Sequence, residues 1–184
     1  GTAKQSYERK SGGSAGSCFD TDNNASDFVW NQNSSNPQNS TSPLLRCLVV
    51  NNITSAVPDQ TYSAGDTLDI TVEFSSNVNV TGSPRLLLET GDTDRNATYQ
   101  SGSGTNILTF RYTVLSGDSS NDLDYVSANA LSLNGGTITG AIGNANLILP
   151  RPGEAGSLGA NKDIKIDIAG SPSILSFKRQ VPGS

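Results

Sequence analysis

Apolar and polar residues alternate along several short stretches of the chain. The clearest stretch is 68–74, where leucine, isoleucine, valine and phenylalanine alternate with polar residues, and 108–114 and 164–168 repeat the pattern. A period of two places one face of a strand in the core and the other in water. The sequence therefore predicts half-buried β-strands.

Turn-forming residues separate these stretches about every 8–12 residues, which is typical of β-sandwiches. Gly- and Asp-rich turns stand at 91–96, a hairpin loop is predicted at 101–106, and Asn-Gly-Gly at 134–136 is a second hairpin signal. No helical period of useful length occurs. The pattern predicts an all-β sandwich over 48–169.

The composition limits the chemistry that the chain can perform. It contains no His, so a Ser-His-Asp or Cys-His centre cannot form and the commonest transition-metal ligand is missing. The net charge is −5 and the pI about 4.5, which argues against nucleic-acid partners because phosphates require clustered Lys and Arg. We expect a protein that is not an enzyme, requires no cofactor and does not bind nucleic acid.

The start of the chain is polar and shows no signal-peptide pattern, and no apolar run approaches the roughly 20 residues of a membrane span. We therefore expect no membrane insertion. We interpret Gly1 as a processed end or a fragment boundary.

The two cysteines, Cys18 and Cys47, are not part of a CxxC motif. Such a pair suits a disulfide in an oxidising compartment, so we expect an extracellular or cell-surface location. The bond would close a loop of about 30 residues and stabilise the chain by about 3–4 kcal/mol. The alternative is two free buried thiols.

The chain divides into three parts. Residues 1–47 form a polar segment with few strand signals, in which SYERK at 6–10 could be a short strand. Residues 48–169 form the main β domain, and 170–184 form a tail. The tail could be the first strand of a following domain or a strand that pairs with another molecule, because it contains four apolar residues: Ile174, Leu175, Phe177 and Val181.

The main domain contains SGSGTN, DLDY and a closing LGANK in a fixed order. Over about residues 57–169 it resembles the immunoglobulin-like repeats of large bacterial surface and adhesin-like proteins. This resemblance implies an immunoglobulin-like β-sandwich. It also implies a spacer or binding module that stands in an array.

The segments SYERK, CFDTDNNASDFVWN and NPQNS lie within residues 1–47. They resemble the closing portion of a lamin-tail-type domain, itself a β-sandwich, whose opening strands are absent here. A sandwich that lacks strands exposes unpaired edges and an unfilled core. The overall expectation is an all-β immunoglobulin-like β-sandwich with an incomplete N-terminal β segment and an extended C-terminal tail.

Aspartates cluster in two places. Asp20 and Asp22 lie near the start, and Asp118, Asp122 and Asp124 lie in one loop of the main domain. Carboxylates at such spacing could hold Ca²⁺. The alternative is a set of Asx turns in which the carboxylates accept bonds from their own backbone. Paired carboxylates also occur in glycosidases, but nothing distinguishes one pair from the others.

Trp30 lies close to Phe28 and Phe19. The three rings could form a platform on which a sugar stacks, so Trp30 is a candidate for glycan binding. The alternative is that they fill the small core of the N-terminal segment.

These observations predict a structural or adhesive module of a bacterial extracellular protein, which could be a fibre subunit. The mechanism would be β-strand addition, in which the apolar tail of one copy enters the open N-terminal segment of the next. Its partners would be copies of itself or other surface proteins. The alternatives are a monomeric glycan- or calcium-binding module and an accessory domain of a secreted enzyme.

Overall fold

The computed structural model describes residues 6–9, 28–31, 47–141 and 143–167. Their elements are β1 (Ser6–Arg9), β2 (Phe28–Asn31), β3 (Val50–Ser55), β4 (Thr61–Tyr62), β5 (Thr67–Thr81), β6 (Arg85–Leu88), β7 (Arg95–Ser101), β8 (Thr105–Thr113), β9 (Leu131–Ser132), β10 (Thr137–Gly140), β11 (Gly143–Asn144), α1 (Leu158–Asn161) and β12 (Lys165–Ile166).

The predicted all-β class is confirmed, because every described element except the four-residue helix α1 is a strand. Within the described ranges, no helix is long and apolar enough to cross a membrane.

Strand β5 lies at the centre of the main sheet. Its alternate side chains Leu68, Ile70, Val72 and Phe74 are at most 1% exposed, as their period of two predicted. One edge of β5 pairs with β8, and the other pairs first with β3 and then with β10. Beyond β8 follow β7, β6 and β9, and all these pairings are antiparallel.

The apolar face of this sheet is covered by loops and short elements from the second half of the domain. β12 pairs with β4 in a two-stranded parallel sheet, which also contributes to this layer. One continuous core joins the sheet to these parts, a sandwich-like arrangement. Its buried members outside the sheet include Tyr62, Leu123, Tyr125, Leu149, Leu158, Ile164 and Ile166.

One segment, residues 145–161, runs along the outer edge of β3, and we call it the covering segment. Asn146 N donates to Leu48 O at 2.8 Å, and Ile53 N donates to Gly156 O at 2.8 Å. These bonds satisfy backbone groups that an uncovered edge strand would offer to another chain.

The covering segment also reaches the far edge of the sheet, where residues 124–132 lie beside β6. Leu149 N donates to Ala128 O at 2.9 Å, and Tyr125 Oη donates to Pro150 O at 2.6 Å. The covering segment therefore binds both edges of the sheet, β3 on one side and the residues beside β6 on the other. The sequence did not indicate this closure, because residues 145–161 have no regular period.

The predicted hairpin at 134–136 is wrong. β9 pairs with β6, whereas β10 pairs with β5, so the turn joins strands that have different neighbours. The turn is nevertheless tight, since Asn134 has φ +47° and donates from Nδ2 to Ser83 O at 3.0 Å. A Cβ on Gly136 would collide with the Thr81 carbonyl, which explains the glycine there.

Two other differences concern element bounds. β5 runs through an irregularity between Glu73 and Val78 and continues to Thr81, whereas the regular alternation in the sequence covers only 68–74. The final strand is shorter than predicted and comprises only Lys165–Ile166 among the described residues. The hairpin loop predicted at 101–106 is confirmed, since it joins β7 to β8.

The N-terminal segment contains one described ribbon. β1 and β2 pair antiparallel, with Tyr7 opposite Trp30, which confirms the short strand predicted within SYERK. Cys18, Asp20 and Asp22 lie outside the described residues, as do the four apolar residues of the tail, Ile174, Leu175, Phe177 and Val181.

Phe110 provides a test of the core. Its ring is fully buried and meets Tyr99 edge to face at a centroid distance of 6.0 Å. Phe110→Ala should lower the free energy of unfolding by about 3–5 kcal/mol, because it leaves a cavity. The adjacent Thr109→Ala on the polar face should change it by about 0.5 kcal/mol or less. Urea denaturation measures both, and equal effects would contradict the assigned faces.

Candidate functional site

The loop between β8 and β9 contains the three predicted aspartates of the main domain, and the structure divides them between two environments. Asp118 lies inside the domain with 1% of its side chain exposed. Its carboxylate accepts from Arg95 Nε, from Tyr112 Oη and from Leu115 N, each at 2.8 Å. These bonds fix the turn that follows β8 to strands β7 and β8.

Burial opposes ionisation of Asp118, but the hydrogen bonds from Arg95, Leu115 and Tyr112 outweigh it and lower the pKa of this carboxyl. Burial and the bond to Asp118 raise the pKa of Tyr112. Asp118 is therefore charged at neutral pH and Tyr112 is neutral, and the two form a structural anchor with Arg95.

Asp122 and Asp124 lie at a second place, beside helix α1, which we call the acidic corner. A Cβ on Gly159 would lie 3.0 Å from Asp124 Oδ2 and 3.4 Å from Asp122 Oδ2. The glycine therefore allows both carboxylates to approach the helix. Asp124 accepts from Tyr125 N at 2.9 Å and from Gly153 N at 3.0 Å.

Asp122 has a different electrostatic environment. Although Asp122 is exposed, partial desolvation raises its pKa first, and the neighbouring charges of Asp163 and Asp124 raise it further, while Lys165 opposes them. Repulsion among these carboxylates makes the acidic corner less favourable when all of them are charged.

The structure places Asp118 apart from Asp122 and Asp124, and calcium binding by these residues stays a prediction. In the described ranges, no three Asp, Glu, Cys or His side chains are grouped so as to hold a metal ion. The physical reason is that Asp118 points into the domain toward Arg95, whereas the other two lie beside α1. A calcium site that involves Asp20 and Asp22 stays a prediction.

The two remaining candidates are only partly described. Cys47 is half-buried and has no free thiol. Its predicted partner Cys18 lies outside the described residues, so the Cys18–Cys47 pair stays a prediction. The Trp30 side chain is 41% exposed in the β1–β2 ribbon, and ligand stacking on it also stays a prediction.

The outward face of the main sheet is polar. Asp69 on β5 stands opposite Arg111 on β8 and accepts two bonds of 2.7 Å from its guanidinium. In the next row Thr71 stands opposite Thr109, and Ile107 on the same face is 44% exposed. The bidentate geometry lowers the pKa of Asp69 through the Arg111 hydrogen bonds.

A structural feature that sequence reasoning missed is the place where the chain enters and leaves the domain. At the entry, Cys47 O accepts from Ser75 Oγ at 2.8 Å, near the middle of β5. At the exit, Asp167 N donates to Tyr62 O at 3.0 Å, beside the turn that begins β5. Ser75 lies eight residues after Thr67 along β5, so the two positions are about 25 Å apart along the strand.

Comparisons of the chain with protein-family models, with curated proteins and with solved structures found no match.

The Asp118 anchor generates a prediction about stability and pH. Asp118→Asn should lower the free energy of unfolding by about 3 kcal/mol at pH 7, because it breaks a buried ion pair. Asp69→Asn removes an exposed pair and should have a smaller effect. Thermal denaturation of the two variants measures the difference, and equal losses would contradict the anchor.

The pH dependence of this effect follows from the lowered pKa of Asp118. The stabilisation is fully present above the unfolded value of about 3.9 and is lost as pH falls through the lower folded value. The wild type and Asp118→Asn should therefore converge in stability only below about pH 4.

At the acidic corner, removal of a carboxylate charge should have the opposite effect on stability. Because the folded pKa of Asp122 is raised, its charged form destabilises the fold at neutral pH, and Asp122→Asn should raise Tm at pH 7. The gain should disappear as pH falls through the folded pKa, where the wild-type carboxyl is also neutral. Asp94→Asn, in an exposed turn, is the matched control, and a lower Tm for Asp122→Asn would refute the assignment.

Proposed function

We propose that the chain is a structural and adhesive module of a bacterial extracellular or surface protein, with residues 47–167 acting as an immunoglobulin-like spacer. The observation that supports it most is the path of the chain. It enters the domain beside Ser75 and leaves beside the turn before Thr67, at opposite ends of the first half of β5. A domain of this kind extends a chain instead of folding it back.

The edges of the domain support the same role. The covering segment binds both β3 and the β6 side, so these edges are protected by the domain's own chain. Protected edges prevent unplanned sheet-to-sheet association, which a repeated spacer must avoid. Residues 47–167 therefore need no strand from another molecule at these edges.

The N-terminal ribbon supports the proposed mode of assembly. Among the described residues, β1 and β2 pair only with each other. A two-stranded ribbon is marginally stable in water, and further strands on its edges would stabilise it. We assign that addition to the apolar tail, residues 170–184, of a second copy.

Tail-to-ribbon pairing between copies is heterologous, because the two contacting surfaces differ. Such contacts propagate into filaments unless the rotation between copies closes a ring. The full chain should therefore form filaments or large oligomers.

The test compares the full chain with a variant in which four apolar tail residues are replaced: Ile174→Ser, Leu175→Ser, Phe177→Ser and Val181→Ser. Light scattering and negative-stain microscopy should show filaments for the wild type and monomers for this variant. The control variant Ser171→Ala/Ser173→Ala changes the same tail without removing apolar side chains and should still assemble.

A synthetic peptide of residues 170–184 should also block assembly of the wild type, because it occupies the ribbon. Filaments that persist in the four-residue variant would refute tail donation. A monomeric wild type would favour the alternative of a monomeric binding module. In that case the acidic corner at Asp122 and Asp124 is the first place to examine, by the change of Tm with added Ca²⁺.

A further inference from the structure

The first strand of the 47–167 domain is bound along its length. β3 pairs antiparallel with β5 from Val50 to Ser55, and Ile53 in its middle is fully buried. Before the strand, Val49 O accepts from Ser75 N at 2.9 Å. The entering chain is therefore attached to β5 from the domain boundary onward.

The last strand is bound on both sides. On one side Asp167 N donates to Tyr62 O at 3.0 Å, beyond the parallel β4–β12 pair. On the other side Ser120 and Ile166 exchange two backbone bonds of 2.9 and 2.8 Å. The Ile166 side chain is 3% exposed, so apolar packing also holds this strand.

These two end segments also bind each other directly. Asn161 Nδ2 donates to Ile53 O and to Asn52 Oδ1, both at 2.8 Å. Ile53 N in turn donates to Gly156 O at 2.8 Å. The residues just before the exit are thus joined to the strand that follows the entry.

The strand directions determine how tension acts on these bonds. β3 runs antiparallel to β5, and its first residue lies at the entry end. β12 runs parallel to β4, and β4 turns through residues 63–66 into β5. The last residue of β12 therefore lies toward the end of β5 that begins with Thr67, where the chain leaves the domain. Tension between the two ends therefore pulls β3 and β12 along their own axes in opposite directions. The β-ladder bonds lie across that direction and are loaded together.

We propose that the domain transmits tensile load, and that β3 and residues 156–167 form a clamp that resists it in shear. The inference rests on the proposed spacer function and adds a mechanical role to it. In shear, many bonds must break in one step, so unfolding under force is slow. If the same strands were peeled from one end, the bonds would break one after another.

The test is single-molecule force spectroscopy of the full chain in two pulling geometries. In the first, handles at Gly1 and Ser184 load the clamp in shear. In the second, handles at Gly1 and at Ser76→Cys, an exposed position next to the entry, peel β3 from β5. Unfolding of residues 47–167 is recognised in the first geometry by a release of about 400 Å of chain. We expect a higher unfolding force in the first geometry.

Two variants distinguish a weakened clamp from a general loss of stability. Asn161→Ala removes the bonds to Ile53 and Asn52 and should raise the end-to-end unfolding rate at constant force about five- to thirtyfold. Asn134→Ala removes a bond of 3.0 Å to Ser83 O at the turn between β9 and β10, outside both β3 and residues 156–167. It should lower Tm, but it should leave that rate unchanged, because its contacts are still formed when the clamp breaks.

Equal unfolding forces in the two geometries, or equal rate changes for Asn161→Ala and Asn134→Ala, would overturn the clamp. These outcomes are independent of assembly. A chain that forms filaments but unfolds equally easily in both geometries refutes the clamp alone. A monomeric chain with a strong directional difference refutes strand addition and retains the clamp.

Discussion

Burial of alternate side chains along β5 is the constraint on which the rest of the domain depends. Leu68, Ile70, Val72 and Phe74 are removed from water only if strands lie on both sides of β5 and a second layer lies over its apolar face. β8 and β3 supply the neighbours, and the loops after β8 and β10 supply the second layer. A one-residue slip of register would expose all four side chains, so the register of the whole sheet follows from this strand.

The covering segment, residues 145–161, closes the sheet independently of the alternation along β5. The covering segment has no regular period, yet its backbone binds Leu48 and Ile53 on one side and Ala128 on the other. Backbone hydrogen bonds are insensitive to side-chain identity, and for this reason no pattern in residues 145–161 indicated the role. The same bonds connect the entry strand to the exit segment and so link edge protection to the proposed mechanical role.

The aspartates show how far residue type alone defines a site. Asp118, Asp122 and Asp124 lie within seven positions of one another, yet only Asp118 is buried against a guanidinium. Arg95, its partner, comes from a strand 23 residues earlier in the chain, and Tyr112 donates from β8. Such distant partners decide whether a carboxylate is a structural anchor or part of a surface cluster, and the local sequence does not contain them.

The sequence by itself determined the all-β class, the buried face of β5 and of β8, the short first strand within SYERK and the hairpin loop at 101–106. These features depend on local alternation and turn chemistry, which nearby residues specify. Only the tertiary structure decided that β9 and β10 separate at 134–136, that residues 145–161 cover two edges, and that Asp118 pairs with Arg95. Each of these depends on contacts between residues far apart in the chain, and their geometry follows from packing the whole core.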